Sequence, residues 1–335
     1  MRAVSDHHGP DPARLTRFQP ALRPSAYTAL VMLILALVNA GCATAPPLRD
    51  EAPTNALEAT AEIAVRHPPP VAETALFGPR PELPSFEDML LLTEDQRSEF
   101  LDFFKSPQRT NRSGHRRLVE YLEQRLKPVR FHDVTLGARD ALLQGQGNCM
   151  SLTLLTTSLA RMVDVRIEWR LNRSRPVYSA EGAVIYSSNH IQTRLFNPLI
   201  EVTPGQITLA SRVLVVDFFT NGMSIPGRRI KENELAGLVF QNLAAEALAD
   251  GDLNRAFWLV QAGLEHNPRN SDFYNVLGVL HRRVGALAKA EEFYRFALRE
   301  FGDELVILRN LYYQLLSRKR TDDAVAIEQR IAQLP

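Results

Sequence analysis

Cysteine is almost absent from this chain: 335 residues carry two, Cys42 and Cys149. Closely spaced cysteine pairs of the zinc-binding kind are lacking, and no pair of histidines flanks a glutamate on a helix, so no metal is expected. No glycine loop ends in lysine to cradle a phosphate, and no cofactor is expected. Charge of one sign is lacking as well. A formal net charge of +1 gives no reason to expect nucleic acid as a partner. The apolar run from Ala29 to Val38 falls short of the roughly 20 residues that a membrane-spanning helix needs. What is there is a chain with 45% hydrophobic residues, long enough for two modest domains with a core each.

Arg14, Arg17 and Arg23 lead into that apolar run, and Asn39-Ala40-Gly41-Cys42 follows it. A basic lead, a short apolar segment and small residues before a cut form an export signal. A cysteine directly after Ala40-Gly41 resembles a lipobox, in which the thiol takes a diacylglyceryl group and becomes the new N-terminus. The expectation is a signal peptide over 1–41 and a bacterial lipoprotein anchored through Cys42. Ala43 carries no inner-membrane retention signal, which points to the outer membrane, facing the periplasm. The rival reading is ordinary cleavage after Ala43-Thr44-Ala45. With Cys42 lipidated, Cys149 has no partner in the chain, and an unpaired thiol in an oxidising compartment wants a reason.

Residues 42–84 are rich in proline and alanine and read as an extended tether. Beyond Pro84 the spacing predicts helices. Thr93-Glu94-Asp95-Gln96 ahead of Phe100, Leu101, Phe103 and Phe104 has the form of a capped amphipathic helix. Ser113–Leu126 and Leu136–Leu143 give two more, and Cys149–Val163 is a helix apolar on most of its surface, hence buried. After Asp164 the period switches to two: Val165, Ile167, Trp169 and Leu171 alternate with Arg166, Glu168 and Arg170. Further strands fit Ala183–Tyr186, His190–Phe196 and Val213–Phe219, with Gly222 and Pro226-Gly227 closing the sheet. Helices first and an antiparallel sheet after them make an α+β domain over 85–236.

The remainder, 237–335, repeats at 34 residues. Tyr274, Leu277, Gly278, His281, Gly285, Ala290, Tyr294 and Ala297 recur as Phe240, Leu243, Ala244, Ala247, Gly251, Ala256, Val260 and Gly263. They recur again as Leu308, Leu311, Tyr312, Leu315, Lys319, Ala324, Glu328 and Ile331. This resembles tetratricopeptide repeats, in units 237–270, 271–304 and a partial 305–335. The resemblance implies an all-α array of stacked helix pairs that holds a protein partner. Few sequence signs point to a core shared with the sheet, so the array is expected to be separable.

Cys149 follows the turn Gln144-Gly145-Gln146-Gly147-Asn148 and opens a helix. Unpaired amides and the positive end of the dipole there favour a thiolate and can receive an oxyanion. Gln146 and Asn148 are candidate helpers for that oxyanion, or simply turn residues. A thiol nucleophile needs a base, and the base an orienting group. His190 starts an apparent strand, and Asp217 is a lone carboxylate within an apolar one, costly to bury unless paired. If Phe196 and Val213 flank a hairpin loop, His190 and Asp217 lie side by side. Asp133 and Asp140 are weaker substitutes for the orienting group. The bland reading, in which Cys149 is a small core residue, stands beside this one. The basic cluster Arg109, Arg112, Arg116, Arg117, Arg125, Lys127 and Arg130 reads as a solvated helix face, with an anionic substrate or lipid head groups as the alternative.

Gly147-Asn148-Cys149 at a helix start, then Asn189-His190-Ile191 and Val216-Asp217-Phe218 on later strands, is similar to the transglutaminase-like superfamily over residues 90–232. The resemblance implies a papain-like core with Cys149 as nucleophile, His190 as base and Asp217 as orienter. It implies acyl transfer at Cys149 from a peptide or protein substrate: to water as a cysteine peptidase or amidase, the favoured reading, or to an amine acceptor as a cross-link. The alternative is a non-enzymatic scaffold or assembly lipoprotein that uses the same fold for binding.

Overall fold

The chain is described by a computed structural model over residues 65–128, 130–181, 184–197, 213–217 and 227–334, with side chains of 173–181 and 184–189 excepted. The expected signal peptide, Cys42, and the first part of the tether lie outside these residues, as do Phe218, Phe219, Gly222 and Pro226. The described part is mixed α and β, mostly helical, and ends in a helical array.

Five helices come first: α1 (Phe86–Leu90), α2 (Glu94–Lys105), α3 (Gly114–Arg125), α4 (Ala138–Gln144) and α5 (Cys149–Met162). Reciprocal capping fixes the start of α2: Thr93 Oγ1 accepts from the Gln96 amide at 3.2 Å, and Gln96 Oε1 accepts from the Thr93 amide at 3.0 Å. Short α1 carries the same device between Ser85 and Asp88. Between helices, β1 (Arg130–Phe131) and β2 (Gln146–Gly147) form a small parallel pair that the periodicity did not signal.

The main sheet holds β3 (Ile167–Glu181), β4 (Val184–Phe196), β5 (Val213–Val216) and β6 (Arg228–Ile230) in the antiparallel order β5-β4-β3-β6. Here the structure corrects the expectation that Pro226-Gly227 closes the sheet. Arg228–Ile230 adds a strand, with Ile230 opposite Trp169. The alternation in β3 does its expected work: Trp169 and Leu171 are buried, and the Trp169 indole N–H donates to Thr157 Oγ1 of α5 at 2.9 Å.

The array consists of α6 (Glu232–Ala249), α7 (Leu253–His266), α8 (Ser271–Arg283), α9 (Leu287–Phe301), α10 (Leu305–Ser317) and α11 (Thr321–Ala332). Consecutive helices pack as pairs. Leu253, Leu287 and Thr321 open the second member of each pair at 34-residue intervals. The turn inside each pair is left-handed at the same place: Gly251 at φ 80°, Gly285 at φ 84°, and Lys319 at φ 58°. Glycine suits the first two because it carries no Cβ penalty there, whereas Lys319 bears that strain.

Two expectations are corrected. The array begins at Glu232 rather than 237, and its core is not its own. One continuous apolar cluster joins Trp169, Leu171, Ile191 and Ile230 of the sheet to Leu235, Leu238, Val239 and Phe240 of α6 and onward into the later pairs. A second cluster lies under α2, α3 and α4 and takes in Leu195 and Val216. Helix α5 supplies both, with Met150 and Leu154 to the first and Leu152, Leu155 and Leu159 to the second. It sits between the two cores, which is why it is apolar all round.

Residues 65–84, expected to belong to a free tether, instead lie along the array as a strap. Phe77, 5% exposed, stacks on Phe257 with centroids 4.2 Å apart. The Trp258 indole donates to the Gly78 carbonyl at 3.2 Å, the Asn254 amide to the Pro79 carbonyl at 3.1 Å, and His67 meets Glu300 at 2.8 Å. A 3-10 turn, Thr74–Leu76, leads into Phe77, the one buried residue of the strap.

Candidate active site

Helix α5 starts where it does because Asn148 caps it. Asn148 Oδ1 accepts from the Ser151 amide at 2.9 Å and from the Ser151 hydroxyl at 3.0 Å. Gly147, just before, is held against this cap: a Cβ on it would meet Ser151 Cβ at 2.6 Å. Gly147-Asn148-Cys149 is therefore a packed helix start, and Cys149, first residue of the helix, is half-buried.

The pairing of β4 with β5 sets the other two groups. Phe196 stands opposite Val213 and Thr193 opposite Val216. Continuing this register places Asp217, just past the end of β5, level with Gln192, and His190 one same-face step further along β4. The hydrogen bonds agree. His190 Nε2 lies 2.9 Å from Asp217 Oδ1, and Gln192 Nε2 donates to Asp217 Oδ2 at 3.1 Å. The Asp217 side chain is 7% exposed, so its carboxylate is buried only because both oxygens are satisfied. Gln192 is a residue that sequence reasoning missed. The available signal was its place two residues after His190, on the same strand face.

His190 also makes a side-chain hydrogen bond with Cys149. The bond to Asp217 first, then the bond to Cys149, push the imidazole up from 6.5 to about 10 against the opposing effect of burial. The ring is thus an imidazolium at neutral pH, held between a carboxylate and the sulfur.

Each remaining candidate can be placed. The Asn148 side chain has no donor left for an oxyanion. Its two acceptor positions serve Ser151, and its amide donates to Thr135 Oγ1 at 3.0 Å and to the Asp133 carbonyl at 3.5 Å. Gln146 Nε2 donates to the Gln144 side chain at 2.9 Å. Both are better explained as turn residues than as oxyanion helpers. Asp133 turns to His132 at 3.8 Å and Asp140 to Arg139 at 3.2 Å, so neither replaces Asp217. The basic cluster is largely spent on the protein itself. Arg112 pairs with Glu120, Arg125 with Glu99 at 3.0 Å, and Arg117 donates to the Phe104 carbonyl at 2.7 Å.

No family model matches this chain, and no curated protein matches it at a significant level. What bears on function is the site itself: a half-buried thiol at a helix N-terminus, an imidazole beside it, and a buried carboxylate behind the imidazole.

Proposed function

We propose that this protein is a transglutaminase-like cysteine acyl-transfer enzyme that hydrolyses a peptide or amide bond. The observation that carries the proposal is the Cys149–His190–Asp217 constellation, with His190 Nε2 bonded to Asp217 Oδ1 at 2.9 Å and the ring bonded to Cys149.

The cycle starts with His190 as an imidazolium, and Cys149 attacks in its thiolate form, the nucleophilic one. The thiolate attacks the substrate carbonyl, and the oxyanion formed is received at the N-terminal end of α5, where the helix dipole is positive. His190 gives its proton to the leaving amine as the C–N bond breaks, which leaves a thioester on Cys149 and a neutral ring. A water molecule then loses a proton to His190 and attacks the thioester. The acid departs and the thiolate–imidazolium pair returns. Asp217 fixes the ring and favours its charged form, and Gln192 holds the second carboxylate oxygen. Water is favoured over an amine acceptor because it is abundant.

The helix pairs at 34-residue spacing support a tetratricopeptide array that recruits a protein substrate or partner. The lipobox-like Asn39-Ala40-Gly41-Cys42 supports a lipid anchor on Cys42 and an envelope location facing the periplasm.

Labelling with an acyl-type activity probe, read by mass spectrometry at Cys149, tests the proposal. Wild type should form the adduct, Cys149→Ala none, and His190→Ala and Asp217→Ala little. Labelling that persists in both His190→Ala and Asp217→Ala would overturn it and make the domain a binding scaffold with an ordinary reactive thiol.

A further inference from the structure

We propose that Glu246, on the first helix of the array, is a positioning residue for Cys149 and acts through Thr135 and Asn148. The inference rests on the acyl-transfer function proposed above. It makes the array part of the mounting of the nucleophile as well as a place to hold a partner.

The chain of contacts is continuous. Glu246 Oε1 accepts from the Thr135 amide at 2.8 Å. Thr135 Oγ1 accepts from Asn148 Nδ2 at 3.0 Å and, more distantly, from Asn242 Nδ2 of α6 at 3.5 Å. Asn148 caps the helix that Cys149 opens. The Ser151 hydroxyl, which donates to that cap, also accepts from the Leu136 amide at 2.8 Å. Segment 132–137, between β1 and α4, has no helix or strand of its own. Its amides at Thr135 and Leu136 are satisfied from two sides, one by the array and one by the nucleophile helix.

Burial gives these bonds their weight. Thr135 is 5% exposed, Asn148 8% and Ser151 0%. A buried amide left without its acceptor costs far more than the net gain of an exposed hydrogen bond. Burial also pushes the Glu246 carboxyl above its ordinary range, opposed by the bonds from Thr135 and assisted by Asp250 and Asp133 nearby. A carboxyl kept in such a place and bonded to Thr135 points to a purpose in fixing the loop. Removing it should free Thr135, loosen its grip on Asn148, and let the helix start drift relative to His190. Displacements of about 1 Å in a reacting group cost on the order of a hundredfold.

The readout is the rate at which iodoacetamide alkylates Cys149 in the full chain as a function of pH, with thermal melting measured in parallel. With the thiol paired to His190 as proposed above, wild type should show a fast limb at low pH. Glu246→Ala should lower that limb by about tenfold to a hundredfold while the protein stays folded. Glu246→Gln, which keeps an oxygen for the Thr135 amide, should restore it. Thr135→Val breaks the next link and should act on the same limb, with a double variant no worse than the stronger single one. A Glu246→Ala protein that melts earlier but keeps the wild-type profile in its folded range would overturn the inference and leave the acyl-transfer function standing. A wild type without the low-pH limb would instead remove the paired nucleophile itself.

Discussion

In the array, each helix meets the one next to it in sequence, and the same turn returns at Gly251, Gly285 and Lys319. In the helix-and-sheet half, the contacts that matter run between distant segments. Cys149 is mounted on a helix, His190 lies on the strand β4, and Asp217 follows a different strand. The array gains stability by repetition, so no single position decides its form. The site depends on one register between β4 and β5, and a slip of one residue would turn His190 to the other face. The two regions nevertheless share a core, and α5 is held between that core and the one under the first helices. Local construction has not produced an independent module.

The largest effect should come from separating the two. Residues 232–335 expressed alone lose the cover that Trp169, Leu171, Ile191 and Phe77 provide over the array. Circular dichroism should find partial helix content and no cooperative thermal transition. A sharp transition at the full chain's melting temperature would restore the picture of a free-standing repeat domain.

Within the site, His190→Ala should reduce acyl-enzyme formation by about 10²–10⁴-fold, the span expected when an acid–base group is lost, and should lower the melting temperature of the still folded protein, because the buried Asp217 loses a partner. Quantitative probe labelling checks it. An effect larger than the one expected of Glu246 in the array would sharpen the contrast between the regions.

A smaller change is expected at the strap. Phe77→Ala removes a buried ring stacked on Phe257 and should cost about 3 kcal/mol, the low end for such truncations, since the rest of the strap is largely exposed. Denaturant melting measures it, with Cys149 labelling expected to survive. The smallest effect should be a gain. Lys319→Gly relieves a left-handed lysine at φ 58° and should stabilise the chain by about 0.5–1 kcal/mol, as its equivalents Gly251 and Gly285 already allow.

The different ways the two regions are built also governed what could be read beforehand. Helix spacing and the 34-residue repeat are local, and the helices appear within a few residues of where periodicity puts them. The neighbourhood of His190 and Asp217 was legible because a carboxylate in Val213-Leu214-Val215-Val216-Asp217 has to find a partner, and a hairpin from Phe196 to Val213 supplies one. Gln192 was missed because an uncharged amide in a strand sends no such signal. The strap was missed because nine prolines between residues 46 and 84 outweighed Phe77 and the few other apolar residues of the segment. Periodicity tells which face of α6 is apolar and is silent on what covers it, so the shared core and the Glu246–Thr135 contact needed the structure.

The central claim is that His190 is a charged ring held between Asp217 and Cys149. Its folded value stands above the ordinary 6.5, so its contribution to stability should be full below that value and lost as pH rises through about 10. Following the His190 ring protons by NMR across the pH range in which the protein stays folded measures this directly. The predicted midpoint is about 10 in wild type, falling towards 6.5 in Asp217→Asn, which removes the largest cause of the shift. A wild-type midpoint near 6.5, unmoved by Asp217→Asn, would contradict it.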